Sequence, residues 1–300
     1  MNGLILGPGP SLDPLRRTLD GFLEGVDRPA LAASDPVALV HPYSDPGDQE
    51  VAGLLVAMLA YGRVASIRDR AQAALSVLGP RPSQAIADPE ARQTLAGFVY
   101  RFQKGQDLPR FLAALAHLRA EHGSLGAAFL AGDPGGSTDY APAMGAFAGA
   151  LSSAAGRRLS YGLRFLIPDA QKGGAAKRLC LYLRWMIRPK DGVDLGTWSA
   201  LGLSVEPSRL VIPLDTHIHR IGRYLGLTDR ASPNLETAQE ITRALARLAP
   251  TDPLRYDLAL CHLGISGRCP KRRDPVKCEG CPIRAVCRLG DEPPDWPFGE

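Results

Sequence analysis

The C-terminal part of the chain holds four cysteines within 19 residues, and this clustering constrains the fold more than any other feature of the sequence. Cys269, Cys278, Cys281 and Cys287 are spaced C-x8-C-x2-C-x5-C. Thiolates are soft ligands, and loops of these lengths can wrap four of them around one metal centre. Structural zinc sites usually contain two close cysteine pairs, whereas only one C-x2-C pair occurs here. The spacing therefore favours a [4Fe–4S] cluster, with a zinc ion or disulfide bonds as the alternatives.

The hydrophobic pattern predicts an all-α protein. Hydrophobic residues make up 45% of the 300 residues, which is enough for a packed core. Apolar residues recur with the helical period in segments such as 48–61 and 177–187, and no segment shows the alternation of a strand. We expect two helical lobes, one formed by residues 47–190 and the other by residues 1–46 together with 191–300.

Positive charge is concentrated in two segments of the chain. The net charge is +4, but residues 157–190 carry +8 and residues 268–288 carry +5, so the remainder carries −9. Such asymmetry predicts a surface that docks on a polyanion, with nucleic acid as the expected partner. The alternative is that both segments are simply solvated faces.

The first ten residues lack the basic region that begins a signal peptide. No apolar run approaches the length of a transmembrane helix. We therefore expect a cytoplasmic protein without a membrane partner, in a compartment where thiols stay reduced and can bind a metal.

A second informative stretch is Pro213-Leu-Asp-Thr-His-Ile-His-Arg220. Taken alone, it predicts that Asp215 or Thr216 caps the helix that follows, because short polar side chains accept hydrogen bonds from the first backbone N–H groups. A carboxylate at this position is also favoured by the helix dipole.

Taken together, the two stretches resemble endonuclease III and its relatives, the iron–sulfur members of the helix-hairpin-helix DNA glycosylase superfamily. The resemblance covers residues 211–288 and extends to the helices predicted at 48–78. The family's cysteines are spaced C-x6-C-x2-C-x5-C, so the first gap is two residues longer here. The matching residues are Leu214-Asp-Thr-His-Ile-His-Arg220, His262-Leu-Gly264, Ser266-Gly-Arg-Cys269 and Cys278-x2-Cys281-x5-Cys287.

The resemblance implies that a hairpin lysine attacks the sugar and that an aspartate assists it. The aspartate corresponds to Asp215. The family hairpin, Leu-Pro-Gly-x-Gly-x-Lys, is similar to the stretch from Ile167 to Lys177, although Asp169 interrupts the Pro-Gly part. Lys177 is the expected nucleophile and Lys172 the reserve. The separation of Lys177 from Asp215 is about twice that usual in the family, and a divergent, longer hairpin also occurs in archaeal 8-oxoguanine glycosylases.

The fold implied by the resemblance is two-lobed, with a C-terminal [4Fe–4S] cluster loop at 269–287. The implied activity is that of a bifunctional base-excision glycosylase and AP lyase. It would act as a nucleoid-associated monomer on double-stranded DNA with a damaged or abasic site. Tyr61, Trp185 and Trp198 are candidates to line a base pocket. The expected DNA contacts are Lys172, Gly173, Gly174, Arg178, Lys271, Arg272, Arg273 and Lys277.

Two other interpretations remain at this point. A non-catalytic iron–sulfur module could bind DNA and recognise its structure or redox state, with Lys177 as a phosphate contact. A zinc-ribbon adaptor could bind nucleic acid through the same basic residues.

Overall fold

The computed structural model of the protein describes residues 12–169 and 173–289. Within these ranges the chain forms α-helices and short 3-10 helices, and no strand. The predicted all-α class is therefore confirmed. No helix in the described ranges is both long enough and apolar enough to span a membrane. The α-helices are α1 (Asp13–Glu24), α2 (Arg28–Ser34), α3 (Pro46–Leu59), α4 (Val64–Leu78), α5 (Pro82–Ala85), α6 (Pro89–Gln93), α7 (Asp107–His122), α8 (Leu125–Ala131), α9 (Ala141–Ala154), α10 (Tyr161–Leu166), α11 (Lys177–Ile187), α12 (Thr197–Ala200), α13 (Thr216–Tyr224), α14 (Leu235–Ala246), α15 (Asp257–Ile265) and α16 (Pro275–Glu279).

The chain divides into two compact units. The first, which we call the central unit, contains residues 28–213. The second, which we call the terminal unit, combines residues 1–27 with 214–300, as far as these are described. The central unit thus begins before, and ends after, the predicted domain at 47–190.

The C-terminal boundary differs because residues 188–198 fold back into the central unit. The carboxylate of Asp194 is fully buried and pairs with the buried guanidinium groups of Arg184 and Arg188. Trp198 is fully buried as well. Removing one member of a buried ion pair leaves an uncompensated charge, so these contacts fix the segment to the unit.

The N-terminal boundary differs because residues 28–46 pack on the same segment. Arg28 forms an ion pair with Asp191. The Nε2 atom of His41 lies 2.9 Å from the carbonyl oxygen of Val193. Residues before the predicted boundary therefore belong to the central unit.

Helix α3 forms the core of the central unit. All residues from 51 to 59 are buried, as expected for a helix surrounded by protein. A Cβ atom on Gly53 would lie 2.9 Å from Cε of Met186, so the glycine allows close packing against α11. Glu50, also buried, accepts hydrogen bonds at 3.1 and 2.6 Å from the first two backbone N–H groups of α8. This carboxylate therefore fixes α8 on α3.

The terminal unit joins α1 to helices from the far end of the chain. Arg16 donates a hydrogen bond to the carbonyl of Arg247 at 3.1 Å. The hydroxyl of Tyr256 donates to the carboxylate of Asp20 at 2.9 Å. Helices α13 and α15 pack on each other and carry the residues described next.

Candidate functional site

The four cysteines of the C-terminal loop line one cavity of about 40 Å³ in the terminal unit. Cys269 is buried, and Cys278, Cys281 and Cys287 are half-buried. Ile283 also lines the cavity. The four cysteines, which the spacing predicts to cluster, therefore line the same cavity.

Short helical turns bring these cysteines together. Asp274 accepts hydrogen bonds at 3.1 and 3.0 Å from two backbone N–H groups at the start of α16, which contains Cys278. The backbone N–H of Cys281 donates to the carbonyl of Cys278 at 3.2 Å. Ile283 and Val286 are buried and anchor the end of the loop.

The four lining thiols are soft donors of the kind that hold zinc ions and iron–sulfur clusters. Burial raises the pKa of the Cys269 and Cys281 thiols, and neighbouring cysteine thiolates act in the same direction. Among residues 12–169 and 173–289, no group of three or more His, Cys, Asp or Glu side chains is close enough together to hold a metal ion. A [4Fe–4S] cluster is held by four cysteine thiolates, and the number and type of the lining side chains match that requirement.

Asp215 caps helix α13. Its Oδ1 atom accepts the backbone N–H groups of His217 and Ile218, both at 2.8 Å. The predicted cap is therefore confirmed. Its Oδ2 atom accepts a hydrogen bond from the Sγ atom of Cys261 on α15, at 3.6 Å. The carboxylate is half-buried, and its two oxygens face different partners.

The other residues that carry the resemblance meet on the same pair of helices. A Cβ atom on Gly264 would lie 2.5 Å from Cβ of His217, so the close approach of α15 to α13 requires glycine. Arg220 lies 3.3 Å from Nδ1 of His217 and donates to the carbonyl of Cys269 at 2.9 Å. Helix α13 thus connects Asp215, at its N-terminus, to the first cysteine of the loop.

Lys177, the expected nucleophile, is the first residue of α11 and is half-buried. It belongs to the central unit, whereas Asp215 belongs to the terminal unit. The preceding residue, Ala176, has a left-handed backbone with φ of 46°, which is unusual for a residue with a side chain. The chain therefore turns sharply into α11 just before Lys177.

The predicted hairpin at 167–177 is described only in part. Lys172, the reserve nucleophile and a predicted DNA contact, lies outside the described residues. Gly173 and Gly174 are exposed, and Gly173 has a positive φ of 83°. Both glycines are thus accessible at the surface that precedes α11.

Arg178 contributes to the interior of the central unit. Its guanidinium donates to the carbonyl of Met58 at 2.6 Å and to the carbonyl of Phe165, and it lies 4.5 Å from the centre of the Phe165 ring. Burial lowers the pKa of this guanidinium to about 10. Arg178 is therefore occupied by contacts within the central unit, and its prediction as a DNA contact is not retained.

The +8 charge of residues 157–190 overstates the positive charge at the surface. Arg184 and Arg188 are buried and paired with Asp194, and Arg178 is held by carbonyl groups. The exposed members of this segment in the described ranges are Arg157, Arg158, Arg164 and Lys190.

The cysteine loop, in contrast, keeps its charge at the surface. Its exposed basic residues are Lys271, Arg272, Arg273 and Lys277. The hydroxyl of Tyr224 donates to the carbonyl of Lys271 at 2.6 Å, and Nζ of Lys277 donates to the carbonyl of Gly267 at 3.1 Å. The backbone that carries these cations is therefore fixed to the terminal unit.

Two of the three aromatic residues suggested for a base pocket belong to the core. Trp185 is 1% exposed and Trp198 is fully buried. Tyr61 is half-buried and lies beside other rings, with centroid distances of 4.9 Å to Tyr100 and 4.8 Å to Phe165. The two tryptophans are thus too buried to line a base pocket, and Tyr61 belongs to a cluster of aromatic rings.

Two exposed members of this cluster, Phe102 and Tyr161, were not anticipated from the sequence. They are 40% and 61% exposed, and their ring centroids are 5.4 Å apart. The alternation of aromatic and basic residues in Val99-Tyr-Arg-Phe-Gln-Lys104 is the sequence feature that could have indicated them.

Fold and site together define an all-helical protein whose terminal unit carries a cavity lined by four cysteines. The chain belongs to the family described as "Protein of unknown function (DUF2400)", whose model matches residues 35–266. The match includes Lys177 and Asp215 and ends just before Cys269. No curated protein and no solved structure matches the chain.

Proposed function

We propose that the protein is a DNA base-excision glycosylase with AP-lyase activity, acting on double-stranded DNA with a damaged or abasic site. The observation that carries the proposal is the arrangement around α13. Asp215 caps its N-terminus and faces Cys261, while Arg220 on the same helix binds the carbonyl of Cys269. This combination of a half-buried carboxylate with a cysteine-lined cavity supports the helix-hairpin-helix glycosylase fold with a cluster loop.

Asp215 would stabilise the positive charge that develops on the sugar as the base departs. A carboxylate fixed by a helix N-terminus needs no reorganisation at that moment, which is the condition for effective electrostatic stabilisation. The target base must first rotate out of the duplex to expose the sugar carbon.

Lys177 would act as the nucleophile. Its neutral amine attacks C1′ of the sugar, the bond from C1′ to the base breaks, and the electron pair leaves with the base. Loss of a proton from the amine and opening of the sugar ring then give a Schiff base. In the lyase step a proton leaves C2′, a double bond forms between C2′ and C3′, and the C3′–O bond breaks to release the 3′ phosphate.

Cys269, Cys278, Cys281 and Cys287 would hold a [4Fe–4S] cluster. When bound, the cluster would tie together a loop that has little hydrophobic core of its own. The loop presents Lys271, Arg272, Arg273 and Lys277, so its rigidity would place these cations for contact with DNA phosphates. A cytoplasmic location would keep the thiols reduced for this purpose.

The test is trapping of the protein on a duplex with one abasic site. Borohydride reduces a Schiff base to a stable amine, so the wild-type chain should form a covalent adduct with the DNA. Lys177→Gln should abolish the adduct but retain DNA binding, because one lost phosphate contact removes only a fraction of the electrostatic attraction. Lys190→Gln, which removes an exposed lysine beyond the end of α11, is the matched control and should trap normally.

Lys172→Gln distinguishes the two candidate nucleophiles. If it abolishes trapping and Lys177→Gln does not, the alignment of the hairpin is wrong while the enzyme class stands. If the wild-type protein binds DNA but never forms an adduct, and excises no base from a panel of damaged duplexes, the protein is instead a non-catalytic iron–sulfur DNA-binding module.

A further inference from the structure

A group of aromatic rings reaches the surface of the central unit. We call Tyr61, Phe102, Tyr161 and Phe165 the aromatic platform. Phe102 packs against Phe165 with centroids 4.7 Å apart, and Tyr161 meets Phe102 edge to face at 5.4 Å. Tyr161 is 61% exposed and Phe102 is 40% exposed. Contiguous exposed apolar groups rimmed by polar residues are a feature of interaction surfaces.

The turn that presents Phe102 is rigid. Tyr100 and Gln103 exchange two backbone hydrogen bonds, at 3.1 and 3.0 Å. Arg101, between them, has a left-handed backbone with φ of 52°. The side chain of Gln103 is fully buried and donates to the carbonyl of Gly162 at 3.0 Å. The turn is therefore fixed to the helix that carries Tyr161.

Helix α10 approaches this turn closely because it contains Gly162. A Cβ atom at this position would collide with the carbonyl oxygen of Phe102 and with a carboxylate oxygen of Asp107. Ser160 caps α10 by accepting the backbone N–H of Leu163 at 3.0 Å, and its hydroxyl donates to Asp107. Phe102 and Tyr161 are thus held side by side by backbone contacts, independently of their own ring packing.

The segments that contribute the rings of the aromatic platform are rich in basic residues. Segments 60–66, 97–106 and 155–168 include six basic residues, and the acidic residues that border them are Asp107, which is buried, and Asp169. None of the six forms an ion pair with any residue that the structure describes. All six are exposed: Arg63, Arg101, Lys104, Arg157, Arg158 and Arg164.

We infer that the aromatic platform binds single-stranded DNA by stacking unpaired bases on Phe102 and Tyr161, with the surrounding cations on the phosphates. Exposed rings interleaved with unpaired cations are the combination that single strands require, because every base offers a flat face and every nucleotide a negative charge. In a duplex both faces of each base are covered by neighbouring bases. A platform of rings therefore selects unpaired nucleotides.

This inference rests on the proposed function only for the class of partner, which is nucleic acid. It requires neither Lys177 nor Asp215, so the two proposals can fail separately. Base-dependent binding with neither a borohydride adduct nor base excision would overturn the proposed function alone, whereas trapping without base-dependent binding would overturn this inference alone.

The test compares two labelled single strands of about 15 nucleotides, a length sufficient to cover one such surface. One is oligodeoxythymidine, and the other has the same phosphates but an abasic spacer at every position. Fluorescence anisotropy with the full chain in about 0.1 M salt should give tighter binding to the thymidine strand. Phe102→Ala and Tyr161→Ala should each weaken that binding by about 5- to 100-fold, and should leave the abasic strand unaffected.

Matched variants separate loss of stacking from loss of structure. Phe102→Tyr and Tyr161→Phe keep the rings and should bind like the wild type. Val77→Ala shortens an exposed apolar side chain on α4, outside the aromatic platform, and should have no effect. Arg101→Gln and Arg164→Gln should weaken binding to both strands alike.

Two results would overturn the inference. The first is equal affinity of the wild type for the thymidine and abasic strands, since stacking needs bases. The second is unchanged binding in the Phe102→Ala Tyr161→Ala double variant accompanied by a change from dimer to monomer in sedimentation, because the rings would then be an interface between copies of the chain.

Discussion

The Sγ atom of Cys261 donates to Oδ2 of Asp215 at 3.6 Å, while Oδ1 of the same carboxylate accepts two backbone N–H groups of α13. The helix cap made by Asp215 therefore depends on one oxygen, Oδ1. A substitution that preserves this oxygen and removes the charge can separate capping from chemistry.

Asp215→Asn is that substitution. Asn caps helices about as well as Asp, so the free energy of unfolding should hardly change, whereas Asp215→Ala should lose about 1 kcal/mol. Base excision from a damaged duplex by Asp215→Asn should fall by roughly 100-fold or more, because the charge that stabilises the sugar as the base departs is gone. Denaturant unfolding and single-turnover base excision measure the two effects. Excision at the wild-type rate would leave Asp215 with only its role as a cap.

The cysteine cavity predicts the composition of the purified protein. Under anaerobic conditions we expect a brown protein with about four iron and four sulfide per chain. Alanine at Cys269, Cys278, Cys281 or Cys287 should remove iron and colour, because each substitution deletes one lining thiol. Cys180→Ala and Cys261→Ala, which lie outside the cavity, should retain both. A colourless native protein with stoichiometric zinc would contradict the cluster.

The exposed cations of the cysteine loop predict a salt-dependent affinity for DNA. Each phosphate contact releases condensed counterions, so Lys271→Ala and Arg272→Ala should each reduce the slope of log K against log salt by about one. The matched control is Arg243→Ala, which removes an exposed cation on α14 of the same unit. Fluorescence titrations at several salt concentrations give the slopes. If Lys271→Ala and Arg272→Ala keep the wild-type slope, as the control Arg243→Ala should, the loop is not a docking surface.

The ion pair of Asp133 with Arg209 predicts an acid limit for the central unit. Arg209 donates to both carboxylate oxygens, at 2.7 and 2.9 Å, and this pairing lowers the pKa of Asp133. Its contribution to stability is therefore complete above the unfolded pKa of about 3.9 and is lost as the pH falls through the lower folded pKa. Asp133→Asn should cost about 1–3 kcal/mol at neutral pH and should flatten the pH dependence in that acidic range.

Urea unfolding followed by tryptophan fluorescence provides this measurement, since two of the three tryptophans, Trp185 and Trp198, lie in the central unit. Ser208→Ala, a nearby substitution that leaves the carboxylate in place, serves as the control. A parallel loss of stability in Asp133→Asn and the wild type between neutral and acidic pH would contradict the prediction.

Local sequence patterns predicted the features that depend on near neighbours in the chain. The bounds of α11 agree with its apolar pattern, and the cap at Asp215 follows from residues two and three positions away. The cysteines share a cavity because their spacing is short. In each case the determining contacts lie within one helix or one loop.

Features that depend on distant partners were not predictable in this way. Arg184 and Arg188 looked like surface charge, because their partner Asp194 lies in a segment that reads as a loop. Arg178 looked like a DNA contact, because nothing local reveals that the carbonyl of Met58 receives its guanidinium. The proximity of Phe102 to Tyr161 depends on Gly162, because a side chain there would collide with the carbonyl of Phe102. The sequence around Gly162 does not show that these two segments are neighbours in the fold.

The division of the chain has a consequence for the order of events during synthesis. The central unit is continuous in sequence, so it can fold as soon as residue 213 has left the ribosome. Helix α1 is made before the central unit but belongs to the other unit, where Asp20 bonds to Tyr256 and Arg16 to the carbonyl of Arg247. Helix α1 must therefore remain without these partners until residues 247–256 emerge, and the thiols of the cysteine loop come together only after the central unit has been made.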